Sequence, residues 1–188
     1  REVVIVAASQ GVVDKGGYRH FMEKEIHEQP DAIAHTLAAM TGADGTLSTP
    51  LPREELAQID GIVMLAAGTS HYAAMVARYW IEALARVPVT CEIASEYRYR
   101  KPVTGAFSCA IAISQSGESL DTLMAMRHAG EAGLKTIGLV NVPGSTIARE
   151  ADLVMPTRAG PEIGVASTKA FTAQLTALIS FATALAEA

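Results

Sequence analysis

From Ile62 onward the chain alternates short apolar runs with longer stretches whose apolar residues recur every three or four positions. The runs at 62–67, 89–93, 110–113, 136–140 and 153–155 are too short for lone helices and rich in aliphatic residues, which predicts buried strands. Between them the spacing predicts a helix over 71–85, with Met75, Tyr79 and Leu84 facing inward. A second covers 120–132, where Leu120, Leu123, Met124 and Arg127 fall one turn apart and Gly133 closes the pattern. A short third spans 145–150. A last helix carries Phe171, Leu175, Leu178, Ala182 and Leu185 at spacings of four and three, an apolar face long enough to call for a large packing partner, either a second copy or a missing part of the chain. Strands alternating with helices at this spacing predict an α/β fold: a doubly wound, parallel, five-stranded sheet in a three-layer α/β/α sandwich. Such sheets bind ligands beyond the carboxyl ends of their strands.

Before residue 62 the pattern is different. Residues 1–7, with Val3 to Val6 apolar, read as a strand or an extended lead-in, and 14–17 as a turn. A helix is predicted over 18–29 with Phe21, Met22, Glu25 and Ile26 along one side, ended by Pro30. Another follows over 31–40 with Ile33 and Leu37 as its apolar stripe, and 41–52 is a surface loop. Residues 1–52 are therefore a lead-in, and 53–188 form the domain.

The stretch Ser-Gln-Ser-Gly-Glu-Ser at 114–119 joins the strand 110–113 to the helix from Leu120. A strand-to-helix turn at a sheet's carboxyl edge aims unpaired N–H groups and the positive end of a helix dipole into one crevice. Ser114, Gln115, Ser116 and Ser119 add neutral donors there. Since no Lys or Arg is present, and neither a P-loop nor a dinucleotide fingerprint is matched, the turn suits a phosphomonoester. The same residues would also serve as a plain helix N-cap and a satisfied turn. Two further hydroxyl-bearing turns precede helices, Thr69 with Ser70 and Ser167 with Thr168. Three such turns in one domain favour the anion cradle.

Composition narrows the field. The net charge of −5, with 15 scattered basic residues among 188, argues against nucleic acid. Cys91 and Cys109 sit in apolar strand-like runs and read as buried reduced thiols, with no metal site implied. No uninterrupted apolar run approaches the roughly 20 residues that span a bilayer, and no secretory signal pattern opens the chain, so a soluble, cytoplasmic protein without membrane contact is expected. The first residue is Arg1, and the last helical pattern runs to the final residue, as in a piece of a longer polypeptide.

Three segments in order, Ala67-Gly68-Thr69-Ser70, Ser114 to Ser119, and Glu162-Ile163-Gly164-Val165-Ala166-Ser167-Thr168-Lys169-Ala170-Phe171, resemble the sugar-binding segments of sugar isomerase (SIS) domains, a flavodoxin-like fold. The wording from Asp14 through Pro30, at 92–100 and at 141–145 resembles more narrowly the first SIS lobe in the isomerase half of the isomerising glutamine:fructose-6-phosphate aminotransferases. The likeness covers about the whole chain. It implies that Ser114, Gln115, Ser116 and Ser119 hold a sugar phosphate, and that Thr69, Ser70, Val165 and Ser167 touch the sugar or its phosphate. The ligands implied are fructose-6-phosphate and glucosamine-6-phosphate, with no cofactor. Three positions depart from the family wording: Ser119 replaces a usual Thr, Ala67 a frequent Cys and Pro161 a usual Thr. None removes a donor.

The resemblance further implies partners: a second SIS lobe, an amino-terminal glutaminase domain and a homodimer. The base, the ring-opening His and the Schiff-base Lys of such enzymes come from the second lobe, the neighbouring subunit and a carboxyl-terminal tail. No catalytic residue is thus expected here, and binding without turnover is. A phosphosugar sensor and a stand-alone isomerase are the alternatives. Of the local ionisable residues, Glu118 is assigned to a helix dipole rather than to catalysis, while His71 and Lys169 are assigned to solvent. His20, His27 and His35 lack metal-ligand companions.

Overall fold

The computed structural model describes residues 14–188, so the strand expected at 1–7 lies outside the described residues. Two helices come first, α1 (Phe21–His27) and α2 (Gln29–Ala39), then a loop and a single turn, α3 (Arg53–Leu56). The domain continues as β1 (Ile62–Ala66), α4 (Gly68–Leu84), β2 (Val89–Ile93), α5 (Ala94–Tyr97), β3 (Cys109–Ser114), α6 (Leu120–Glu131), β4 (Lys135–Val140), α7 (Thr146–Glu150), β5 (Leu153–Pro156) and α8 (Lys169–Glu187). All five strands are parallel, in the order β2-β1-β3-β4-β5. The five strands predicted from Ile62 onward are all present, in the predicted three-layer arrangement.

Side-chain alternation sorts the strands between two helical layers. Ile62, Met64 and Ala66 join Ile111, Ile113, Ile137, Leu139 and Met155 against α4 and α8. Val63, Leu65 and Ala110 face Ala94, Tyr97, Ala125 and Ala129 of α5 and α6. Ala112 and Val140 meet Leu123, Met126 and Ile147. Cys109 lies within the first of these cores and burial pushes its thiol up to about 12, while Cys91 is pushed up to about 11. Neither is a thiolate at neutral pH.

Three helical faces differ from the sequence expectation. On α4 the buried residues are Ala73, Ala74, Ala77 and Ile81, whereas Met75, Tyr79 and Leu84 are exposed. The reason is close approach: α4 runs along α8, whose Ala177, Phe181 and Ala182 share its core, and small side chains let the two backbones near one another. On α2 the inward residues are Ala32 and Thr36, followed by Met40, while Ile33 and Leu37 face outward. Ala32 seats against Ala159, Ala170 and Ala173, a site with no room for Ile or Leu. On α1 the buried residue is Glu25, with Met22 and Ile26 exposed.

The apolar face of α8 is covered within the chain by α4, α2 and the sheet, and Leu178, Phe181, Ala182 and Leu185 are buried. The expectation that this face requires a second copy or a missing segment therefore fails. By length and composition α8 is apolar enough to cross a membrane, yet more than half of its apolar stretch is buried inside the domain.

Truncating Phe181, fully buried between α8 and the sheet, to Ala should cost about 3–5 kcal/mol in urea unfolding. Tyr79→Ala, at 73% exposure, should stay within about 0.5 kcal/mol of wild type. A comparable loss in both would place the core on the wrong face of α4.

Candidate functional site

Strand order reverses between β1 and β3: the chain goes from β1 outward to β2, then returns to β3 on the other side and moves on to β4 and β5. Because Ala66 pairs with Ile113, the turns after β1 and β3 leave the sheet side by side. Thr69 and Ser70 lie in the first turn of α4, and Ser114 to Ser119 lead into α6. The third segment reaches the same edge through α8, since Gln174 donates from Nε2 to Ser70 Oγ at 3.0 Å. Gln174 is buried and its Oε1 has no partner among the described residues.

Within 114–119 the hydroxyls shape the turn. Ser114 Oγ accepts from Gly117 N at 3.0 Å, and Ser116 Oγ accepts from Glu118 N at 3.2 Å. The hydroxyl of Thr122 donates to Ser119 Oγ at 3.1 Å. The satisfied-turn reading thus holds for Ser114 and Ser116, but the N-cap reading does not: Ser119 makes no side-chain cap to α6. Gly117 has φ +66°, and a Cβ there would lie 2.0 Å from Ser145 Oγ, so only glycine fits. Its carbonyl accepts from Ile147 N at 3.0 Å and ties the turn to α7. Gln115 is half-buried, with its carbonyl accepting from Asn141 N at 3.2 Å.

Carboxylates occupy some helix starts at this edge and leave others open. Glu118 turns away from α6 and accepts from Thr146 N at 2.8 Å and Thr146 Oγ1 at 2.7 Å, at the start of α7. The Thr146 hydroxyl, then the Thr146 amide, hold its carboxyl below the usual range. Glu118 does interact with a helix start, but that of α7 and not of the helix it precedes. Glu162 takes Thr168 N at 2.7 Å, Ala170 N at 3.2 Å and the Ser167 hydroxyl at 3.0 Å, which fills the start of α8. By contrast, among the described residues no side chain accepts from the first-turn amides of α4 and α6, of 17 and 12 residues. Two long helices therefore direct unopposed N–H groups and dipoles toward one switch point.

The remaining predicted positions are placed differently. Val165 is fully exposed and, with Ala166, borders a shallow depression of about 840 Å³ formed with Arg19, His20, Met22 and Ile26. Ser167 is tied to Glu162, as above. Lys169, expected in solvent, is 5% exposed and pairs with Glu28 at 2.6 Å. The start of α8 is pressed onto the α1–α2 corner, which leaves this side chain only an inward path. His71, also expected on the surface, is half-buried with its Nδ1 enclosed and unpartnered among the described residues. Sequence reasoning assigned no role to Glu25, Glu162 or Gln174. The one available signal was an acid, Glu25, on the predicted apolar side of α1.

A doubly wound sheet with open helix starts at its switch point is an α/β domain of the kind that places ligands beyond the carboxyl ends of its strands. The chain belongs to the SIS domain family, whose model matches residues 55–184. It is similar to the glutamine–fructose-6-phosphate aminotransferase (isomerizing) of Zymomonas mobilis, 56% identical over 187 residues, covering 99% of this chain and 31% of that protein. The enzyme of the same name from Bradyrhizobium diazoefficiens is 52% identical over 191 residues, covering all of this chain and 31% of its own length. Among solved structures, the C-terminal domain of glucosamine-fructose-6-phosphate aminotransferase from Francisella tularensis superimposes with TM-score 0.88 at 46% identity, covering 93% of this chain and 49% of that one. A glucosamine-6-phosphate deaminase from Thermotoga maritima, at 21% identity and TM-score 0.73, shares the fold. The chain spans about a third of the length of these curated relatives.

Two changes test the turn. Gly117→Ala should lower stability by more than about 1 kcal/mol in denaturant titration, through both the left-handed backbone and the Ser145 clash; a neutral result would mean that the turn is not packed on α7. For Glu118 the folded pKa lies below the unfolded value, so its contribution is present above the ordinary 4.5 and is lost as pH falls through the lower folded value. The stability gap between wild type and Glu118→Gln should be full at pH 7 and close below that range; a constant gap would remove the charge from α7's anchor.

Proposed function

We propose that the chain is the sugar-phosphate-binding lobe of an isomerising glutamine:fructose-6-phosphate aminotransferase. In this reading 53–188 form the binding domain and 1–52 are the lead-in, whose helix α2 packs on α8. The observation that carries it is the pair of uncapped helix starts, α4 and α6, side by side at the β1–β3 switch point. A phosphate dianion there meets backbone N–H groups, two dipoles and the hydroxyls of Ser114, Ser116 and Ser119, with Gln115 at the rim. Of the two acids nearest this turn, Glu118 is engaged at α7 and directs no carboxylate at the ester, and Asp121 is exposed in the first turn of α6. Thr69 and Ser70 flank the same crevice, and Val165 and Ser167 approach from the α8 side to contact the sugar. Identities of 46–56% to aminotransferases of this kind favour that enzyme over a phosphosugar sensor or a stand-alone isomerase.

The fragment binds and orients, and its residues carry out no proton transfer. In the parent enzyme, aldose–ketose interconversion requires an acid to open the ring and a base to move a proton between C1 and C2. A second SIS lobe, a glutaminase domain and a homodimer partner complete that machinery in a cytoplasmic enzyme that makes glucosamine-6-phosphate from fructose-6-phosphate and glutamine.

Ser116→Ala should weaken fructose-6-phosphate binding by about 1.5–3 kcal/mol, the range for a hydrogen bond to a charged group. Calorimetric titration of both proteins measures this, and equal affinities would remove Ser116 from the site.

A further inference from the structure

The buried carboxylate of Glu25 belongs to no part of the cradle described so far. It is 2% exposed, on the inward face of α1, and its partners are backbone amides. Oε1 accepts from Ile163 N at 2.5 Å and Gly164 N at 3.1 Å, and Oε2 accepts from Gly164 N at 3.0 Å. Among the described residues no Lys or Arg pairs with it; Lys169 and Lys24 both go to Glu28. The approach is close enough that a Cβ on Gly164 would lie 2.5 Å from Oε2, so glycine is required where the chain crosses the carboxylate. Burying a charge for amides alone is costly, and a simple loop anchor could use a neutral side chain.

What the two amides lead into gives the carboxylate a purpose. Immediately after Gly164 come Val165 and Ala166, both exposed, and then Ser167 and Thr168, held by Glu162. Residues 165–166 are thus a two-residue bridge between carboxylate anchors, one reaching across 138 positions from α1 and one local. Each anchor fixes backbone N–H directions, which leaves the bridge little freedom without using any of its own side chains. We infer that Glu25 is a positioning residue: it holds the 163–167 segment in the orientation that meets the sugar part of the ligand, while the phosphate is held independently at 114–119. This inference rests on the sugar-phosphate reading above. It assigns the lead-in helix α1 a share in selecting a hexose phosphate over a bare anion.

The test is a split between two probes, fructose-6-phosphate and inorganic phosphate, each titrated into wild type, Glu25→Ala, Glu25→Gln and Asp152→Asn by NMR. Asp152 accepts from Thr136 N and Oγ1 at the opposite edge of the sheet and serves as the control for general loosening. Glu25→Ala should weaken fructose-6-phosphate about tenfold or more and leave inorganic phosphate within about twofold, with faster amide exchange at Ile163 and Gly164. Glu25→Gln, which keeps one acceptor oxygen, should fall between. Equal losses for both probes, matching those of Asp152→Asn, would reduce Glu25 to a structural support and overturn the inference, as would wild-type affinities in Glu25→Ala. Should Glu25→Ala not fold, a wild-type preference in Glu25→Gln would overturn it equally. If wild type does not bind fructose-6-phosphate, the sugar-phosphate reading itself has failed and the role of Glu25 goes with it.

Discussion

The structure depends on how the helix starts at one edge of a sheet are satisfied, those of α4, α6, α7 and α8 above all. Each start exposes N–H groups that need an acceptor, and the chain supplies carboxylates for two of them: Glu118 for α7 and Glu162 for α8. The starts of α4 and α6 receive none. Parallel pairing of Ala66 with Ile113 brings these two together, so their unmet demand adds at one point. In the proposed reading an external anion completes the set. A carboxylate from the chain at that point would occupy the same donors and close the site.

The same acids that fill α7 and α8 also shape the crevice. Glu118 bridges the 114–119 turn to α7, and Gly117 packs under Ser145 so that the turn and α7 move as one unit. Glu162 folds its own loop back over the first turn of α8, and Glu25 pins the preceding amides from a distant helix. The carboxylates of Glu118, Glu162 and Glu25 are thereby spent on backbone N–H groups around the proposed cradle, which suits a doubly negative ester better than a rim of free carboxylates would, and leaves Asp121 as the exposed acid in the first turn of α6. Among the described residues the proposed site uses no cationic side chain: Lys169, the nearest candidate by sequence, is buried against Glu28.

How far the sequence could be read is clearest on the helices. The five strands were legible because residues buried on both faces leave near-continuous apolar runs, and hydroxyl-rich exits marked the carboxyl edge of β1 and β3. On α4 the inward stripe is Ala73, Ala77 and Ile81 rather than Met75 and Tyr79, and on α2 it is Ala32 and Thr36 rather than Ile33 and Leu37. In both cases residue size misled: close helix packing selects small side chains, a constraint that exists only once the neighbouring helix is in place. Val165 was legible as part of a motif, but its full exposure toward α1 was not.

Sequence by itself determined the strand and helix alternation, the parallel sheet and the three hydroxyl-bearing turns, because these rest on local periodicity and on neighbours within a few positions. Tertiary structure alone decided which helix starts stay open, that Glu118 serves α7, and that Glu25 reaches the amides of Ile163 and Gly164. The physical reason is that a buried carboxylate has no local signature. Its partner is whichever unpaired donor the fold brings within hydrogen-bond distance, and for Glu25 that donor lies 138 residues away.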